Sequence, residues 1–206
     1  IDYQPAEQEG TIIYIAVNGN YAGYIVINDQ IKPDSKSALQ NLRELGIENL
    51  VMLTGDNQQV AVRVADELEI DKYYAELLPD EKVAQMEKIL EAKENKTAFV
   101  GDGINDAPVL ARSDIGVAMG GLGSDAAIEA ADIVLMKDKP SNLTEAVKVA
   151  NFTRKIVWQN IALALGVKGA VLLLGALGMA TMWEAVFADV GVALLAVLNS
   201  IRVIRK

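Results

Sequence analysis

The chain has 206 residues, room for one domain of ordinary size and something small beside it. It contains neither Cys nor His, which excludes a disulfide framework, a thiolate nucleophile and an internal structural zinc cluster; a metal held here must take carboxylate, carbonyl or water oxygens, or ligands from elsewhere. Residues 1–150 carry a net charge of −13 and residues 151–206 a net of +4, an acidic globular part followed by an apolar tail with basic flanks, and nothing in the acidic part forms a basic patch that would take nucleic acid.

No secretory leader opens the chain, which starts at Ile1 and reads as a piece of a longer polypeptide. Residues 11–17 (TIIYIAV) and 21–27 (YAGYIVI) are rich in β-branched and aromatic residues and flank Asn18-Gly19-Asn20, which predicts a β-hairpin. A helix is expected from the polar run after Pro33 to about Leu45.

Apolar runs at 50–53, 97–100, 115–118 and 132–135 read as buried strands. Helical stretches at about 57–69, 80–93, 106–112 and 124–130 alternate with them. This α/β alternation with short connections predicts a parallel, Rossmann-like sheet covered on both faces, whose ligands bind at the carboxyl ends of the strands.

The tail differs. Residues 156–179 contain a single charge, Lys168, and residues 182–201 contain two, Glu184 and Asp189. Each run reaches the ~20 residues that cross a bilayer as a helix, so a two-helix transmembrane hairpin is expected, with the bilayer as a partner. Arg154 and Lys155 before the first span, and Arg202, Arg205 and Lys206 after the second, place both ends in the cytosol. Trp158 and Trp183 fall near opposite interfaces, where such rings anchor a span, with ordinary packing the competing reading, and Gly166, Gly169, Gly175 and Gly178 would let helices approach closely. Lys168 lies 12 residues after Ile156 and Asp189 lies 12 before Ile201. Both therefore sit roughly 18 Å from the cytosolic side, and an antiparallel hairpin brings them to one depth. Ionisable residues within a span are costly and mark ion pathways; a purely structural ion pair is the competing reading.

Three motifs fall at strand ends. Thr54-Gly55-Asp56-Asn57 follows the strand at 50–53 and offers a hydroxyl and backbone amides to phosphoryl oxygens, or simply caps a helix. Pro79-Asp80-Glu81-Lys82 opens a helix from which a lysine can reach over a strand end. Gly101-Asp102-Gly103-Ile104-Asn105-Asp106-Ala107-Pro108 follows the strand at 97–100. Its glycines permit a tight turn, Asp102 and Asp106 suit Mg²⁺, and Asp106 is placed to cap the next helix.

The succession TGDN, PDEK, GDGINDAP, DIGVAMG and GSDAAIEAADIVL resembles the phosphorylation domain of P-type ATPases, within the haloacid-dehalogenase superfamily. The Lys168 and Asp189 pattern in the last two spans resembles the zinc/cadmium/lead-exporting branch. The resemblance implies that residues 1–30 close a nucleotide-binding domain, that 31–150 form the phosphorylation domain, and that 151–206 form the membrane hairpin of a multi-pass pump whose catalytic part is cytosolic. It implies Mg²⁺ and ATP as cofactors, and Zn²⁺, Cd²⁺ or Pb²⁺ as cargo. Thr54 and Gly55 would contact an aspartyl phosphate, with Asp56 in the same loop. Lys82 would offset phosphoryl charge, Asp102 would hold Mg²⁺, and Asn105 and Asp106 would complete the site. Asp189 would be a ligand of the transported ion and Lys168 its counter-charge. The family's phosphorylated aspartate lies in Asp-Lys-Thr-Gly-Thr, which does not occur here; it is expected upstream, with the actuator domain and the earlier membrane helices, and this stretch by itself is expected to be inactive. A soluble phosphatase of the same superfamily and a non-catalytic Mg²⁺-binding unit are the alternatives.

Overall fold

The computed structural model describes residue 5 and residues 11–27, 30–92, 95–120, 125–179 and 181–205. Most of the first ten residues, Gly123 and Ser124 of the expected motif, and Lys206 of the basic flank lie outside the described residues.

Strands β1 (Thr11–Val17) and β2 (Asn20–Ile27) pair antiparallel, with a register shift between Ile15 and Ala16. Asn18 and Gly19 turn the chain at φ of 51° and 80°, the left-handed conformation that a two-residue hairpin loop matches to the strand twist.

The α/β region follows as α1 (Ser35–Glu44), β3 (Val51–Leu53), α2 (Gln58–Leu68), β4 (Lys72–Tyr74), α3 (Pro79–Glu91), β5 (Ala98–Gly101), α4 (Ala107–Arg112), β6 (Ile115–Met119), α5 (Asp125–Ala130) and β7 (Ile133–Leu135). All its strand pairs are parallel, as expected, but the sheet is divided. β3 pairs with β4, and separately β5, β6 and β7 pair in that order. The facing edges of β3 and β5 line one cleft, with Val51 and Leu53 on one side, Thr97, Ala98 and Phe99 on the other, and Met86 of α3 between them. The core comprises Ala61 and Ala65 of α2, Met86, Val109 and Leu110 of α4, Val117 and Ala118 of β6, and Ala127 of α5.

One device recurs at the amino ends of the strands. An aspartate immediately before a strand accepts a hydrogen bond from a backbone amide at the start of the neighbouring strand. Asp71 accepts from Leu50 at 2.7 Å, Asp114 from Thr97 at 3.0 Å, and Asp132 from Gly116 at 2.8 Å. Each fixes a parallel register and satisfies a donor at the sheet's end. The amide of Leu50, with Arg43 beside it, holds the Asp71 carboxyl below its ordinary value; the ammonium of Lys96, then the amide of Thr97, does the same for Asp114. Depressed carboxylates stabilise fully above their unfolded pKa, and that stabilisation is lost as pH falls through the folded one. Stability is therefore expected to be flat near neutrality and to fall below the ordinary carboxylate range. Acid titration of unfolding, followed by circular dichroism, should show a shallower acid limb in Asp71→Asn and Asp114→Asn.

β6 and α4 meet at Gly116, where an added Cβ would lie 2.8 Å from the Leu110 carbonyl oxygen. Gly116→Ala must push backbone from backbone, and it is expected to destabilise the domain by about 1–3 kcal/mol, read as a lowered denaturation midpoint.

The tail forms α6 (Ser141–Ala176) and α7 (Met182–Ile204), helices of 36 and 23 residues, each long and apolar enough to cross a membrane. α6 has no break at residue 150, so the expected boundary between domains falls inside one helix. Its base is tied to α1: Asp34 accepts from the Ser141 amide at 3.0 Å, the buried Thr144 hydroxyl donates to the Ala38 carbonyl at 3.3 Å, and Lys32 pairs with Asp138. A Cβ at Gly166, Gly169, Gly175 or Gly178 would meet nothing within 4 Å, so it is not these glycines that bring α6 and α7 together; the faces they open are free for other helices.

Candidate functional site: a phosphoryl pocket and a charge pair in the apolar hairpin

The first motif leaves β3 and turns before α2. The Thr54 hydroxyl donates to Asp56 Oδ2 at 2.8 Å and accepts from the Asp56 amide at 3.0 Å, so the loop closes on itself. Asn57, not Asp56, caps α2, accepting from the Val60 amide at 3.0 Å. The loop is held against the start of α3: the Leu77 amide donates to the Thr54 carbonyl at 3.1 Å, and the Glu76 amide to that of Asp56 at 2.8 Å. An added Cβ on Gly55 would come 3.3 Å from the Leu77 carbonyl oxygen, so this close approach uses the glycine.

α3 begins at Pro79, whose fixed φ and missing donor suit a first helical position, and Glu81 accepts from the Leu78 amide at 2.8 Å. This start aims Lys82 across the strand ends. Its Nζ lies 3.0 Å from Asp106 Oδ1, with the two side chains only 17% and 14% exposed.

The third motif turns through a single 3₁₀ turn, Ile104–Asp106, into α4. The expectation that Asp106 caps α4 with its side chain is corrected. Asp106 stands at the cap position, but its Oδ2 accepts from the Gly103 amide at 3.4 Å and its Oδ1 faces Lys82. Packing explains the choice, since a Cβ at Gly101 would fall 2.8 Å from Asp106 Cβ; only glycine lets the carboxylate fold back over the loop. Asp102 and Asn105 are exposed beside it.

Carbonyl, amide and carboxylate groups thus gather at the carboxyl ends of β3 and β5, where open parallel sheets bind ligands. Among the described residues no group of three or more His, Cys, Asp or Glu could hold a metal. That donor set does not fit a caged metal. It does fit Mg²⁺, which keeps several waters and takes one or two carboxylates together with substrate phosphoryl oxygens. Asp102 and Asp106 are the carboxylates here that could hold it.

The second constellation lies in the hairpin. Lys168 Nζ and Asp189 Oδ1 are 2.8 Å apart, 58% and 64% exposed on its surface. Glu184 is engaged locally, accepting from the Thr181 amide at 2.6 Å as α7 begins.

Sequence reasoning missed two features. Glu76 adopts a left-handed φ of 57° and buttresses the Thr54 loop, with no glycine to signal it. A polar cluster ties the middle of α6 to the carboxyl-terminal part of α7: Asn160 donates to the Ala196 carbonyl at 3.2 Å and to Ser200 Oγ at 3.0 Å, and Asn199 donates to Asn160 Oδ1 at 2.9 Å. Amides interrupting an otherwise apolar stretch were the available signal.

The chain is 61% identical over its whole length to the cadmium, zinc and cobalt-transporting ATPase of Bacillus subtilis (strain 168), covering 30% of that protein. It is 57% identical over 98% of its length to the zinc-transporting ATPase of Synechocystis sp. (strain ATCC 27184 / PCC 6803 / Kazusa), covering 28% of it. The chain thus spans under a third of the length of these relatives. Its structure superposes on the crystal structure of a zinc-transporting PIB-type ATPase in the E2.Pi state with a TM-score of 0.81 and 37% identity, over 93% of this chain and 31% of that one. The haloacid dehalogenase-like hydrolase family matches residues 1–114. With its parallel strands, its acidic Gly101–Asp106 loop and the lysine paired to it, the chain belongs to the haloacid dehalogenase-like hydrolase family.

Proposed function

We propose that the chain is part of an ATP-driven export pump for divalent heavy-metal cations, Zn²⁺, Cd²⁺ or Pb²⁺, working through an aspartyl phosphate formed on a residue upstream. Zinc and cadmium appear in the names of its relatives; lead belongs to the proposal alone. Residues 1–30 close a nucleotide-binding domain, 31–150 form the phosphorylation domain, and 151–206 form a membrane hairpin with both ends in the cytosol. The two long apolar helices and the whole-length similarity to transporting ATPases favour this reading over a soluble phosphatase or a non-catalytic Mg²⁺-binding unit.

The observation that carries it is the unbroken course of α6. That helix starts against α1 of the domain bearing Lys82 and Asp106, and it carries Lys168, paired with Asp189, in its apolar half. Chemistry at one end and an ionisable pair at the other are what coupled transport needs.

In the phosphorylation domain, Thr54 and the amides of its loop bind phosphoryl oxygens. Lys82 offsets their charge and is held in place by Asp106; catalysis here is mainly positioning and charge stabilisation. Mg²⁺, when bound, supplies further neutralisation of the phosphoryl group. β3 and β5 line one cleft between two separate sheets, and we assign that cleft to the upstream segment carrying the nucleophilic aspartate, entering as a further strand.

In the hairpin, Asp189 binds the cargo with softer ligands from other helices, and Lys168 neutralises it when the cargo is absent. The complete protein in proteoliposomes should show zinc- or cadmium-stimulated ATP hydrolysis and a hydroxylamine-sensitive phosphoenzyme. ATP hydrolysis indifferent to every divalent heavy metal would defeat the reading.

A further inference from the structure

The basic end of the hairpin is more than a topology signal. Phe152 of α6 lies under the Arg202 guanidinium of α7, 5.9 Å from ring centroid to carbon. Arg202 is also oriented by Asn199 Oδ1, which accepts from it at 2.8 Å. The Asn160 bonds to Ala196 and Ser200 close the two helices further in, eight residues on from Phe152 along α6. Lys155 follows Phe152 by three residues and Arg205 follows Arg202 by three, so helical spacing carries both cations to the same side as the Phe152–Arg202 contact. Arg154 flanks them. None of these four cations pairs with a carboxylate among the described residues, and no Asp or Glu occurs in residues 146–183 or 190–206. Trp158, one turn beyond Arg154 and 64% exposed, presents an amphipathic ring beside the cluster.

We propose that this end of the hairpin is a binding surface for the headgroups of anionic phospholipids. The inference rests on the membrane reading of α6 and α7. Charge complementarity identifies the partner: cations without a carboxylate partner converge on one interface with an aromatic at the depth of the upper acyl chain, and no acidic side chain among the described residues competes. A zwitterionic headgroup lacks the net charge to answer them. Juxtamembrane Lys and Arg each favour an anionic surface by a term that amounts to about fivefold in binding.

The test uses the complete protein in mixed vesicles and its own tryptophans. Other tryptophans are replaced, and Trp158 or Trp183 is kept in turn. Quenching by phosphatidylglycerol brominated near the top of its acyl chains is compared with quenching by equally brominated phosphatidylcholine. Trp158 should show at least a fivefold preference for the anionic lipid, and Trp183, at the other end of the hairpin, about none. The triple variant Lys155→Gln/Arg202→Gln/Arg205→Gln should lose the preference while Trp158 is still quenched by both lipids. Arg202→Lys/Arg205→Lys, which keeps the charge, should retain it and guards against misfolding of the triple variant. Equal quenching of Trp158 by both lipids, or a preference surviving the triple substitution, overturns the lipid site while leaving the membrane reading intact. A preference displaced by millimolar inorganic phosphate at constant ionic strength would instead mark a free-phosphate site and also overturn it. No quenching of either tryptophan by any lipid removes the membrane reading itself.

Discussion

In the complete protein, Asp106→Asn is expected to lower the rate of phosphoryl transfer by roughly 10²–10³-fold, the range found when a single preorganised charge-stabilising contact is removed. The substitution preserves volume, so the close packing of Asp106 against Gly101 survives. It removes the charge that fixes Lys82 Nζ at 3.0 Å, in a position where both groups are largely shielded from water. Lys82 then gains freedom to leave the strand ends, and a carboxylate available to Mg²⁺ is lost as well. Two controls separate these effects. Lys82→Met should cost a similar factor without altering the Mg²⁺ concentration needed for half-maximal activity. Asp102→Asn, at an exposed position with no side-chain bond among the described residues, should mainly raise that concentration. Single-turnover phosphorylation across a Mg²⁺ series makes the measurement. Near-normal rates in Asp106→Asn would remove both roles from this residue.

Asp189→Ala and Lys168→Ala are expected to act in opposite senses on metal binding, although the two side chains form one contact of 2.8 Å. An isolated charge at the centre of a membrane helix costs about 2.5–3.5 kcal/mol on insertion scales, so each partner relieves the other while the cargo site is empty. On the proposed roles, Asp189→Ala removes a ligand and should lower metal affinity and metal-stimulated ATPase together by at least tenfold. Lys168→Ala removes only the competitor. Affinity should hold or rise, whereas release and turnover should slow, because no internal cation takes the place of the departing metal. A purely structural ion pair predicts instead that both variants lose stability alike and that binding follows the folded fraction. Metal stoichiometry and ATPase rate, each divided by folded protein, decide between them.

The long elements and the motif positions were legible in the sequence because periodicity and turn chemistry act locally. The hairpin at 11–27 and its Asn18-Gly19 turn, α1, and the strands at 51–53, 98–101, 115–119 and 133–135 lie where patterning put them, within one or two residues. β4 escaped because Lys72–Tyr74 is too short to establish a period, and it is a strand only by virtue of pairing with β3. The division of the sheet escaped because local alternation says which segments are strands and nothing about which edges meet. At the site, the loops could be read from glycine and aspartate spacing. The pairing of Lys82 with Asp106 could not, because it joins residues 24 apart through the aim of α3. The misplaced cap has the same origin: Asp106 has a good cap sequence, but a cation supplied by tertiary structure outcompetes the helix amides.

α6 also has mechanical consequences. Ser141, where the Asp34 carboxylate grips the helix, and Lys168 are 27 residues apart on one uninterrupted rod, a lever arm of about 40 Å at 1.5 Å per residue. Tilting that rod about its base by about 5° displaces the far end by about 3.5 Å, more than enough to break a contact at hydrogen-bonding distance. A small rocking of the domain that carries α1, too slight to disturb the Thr54 loop or the aspartate staples, is therefore amplified to the scale of the Lys168–Asp189 contact, and it parts that pair wherever α7 is held still while α6 tilts. Torque applied at a base of three polar contacts becomes translation at Lys168, with the gain set by helix length.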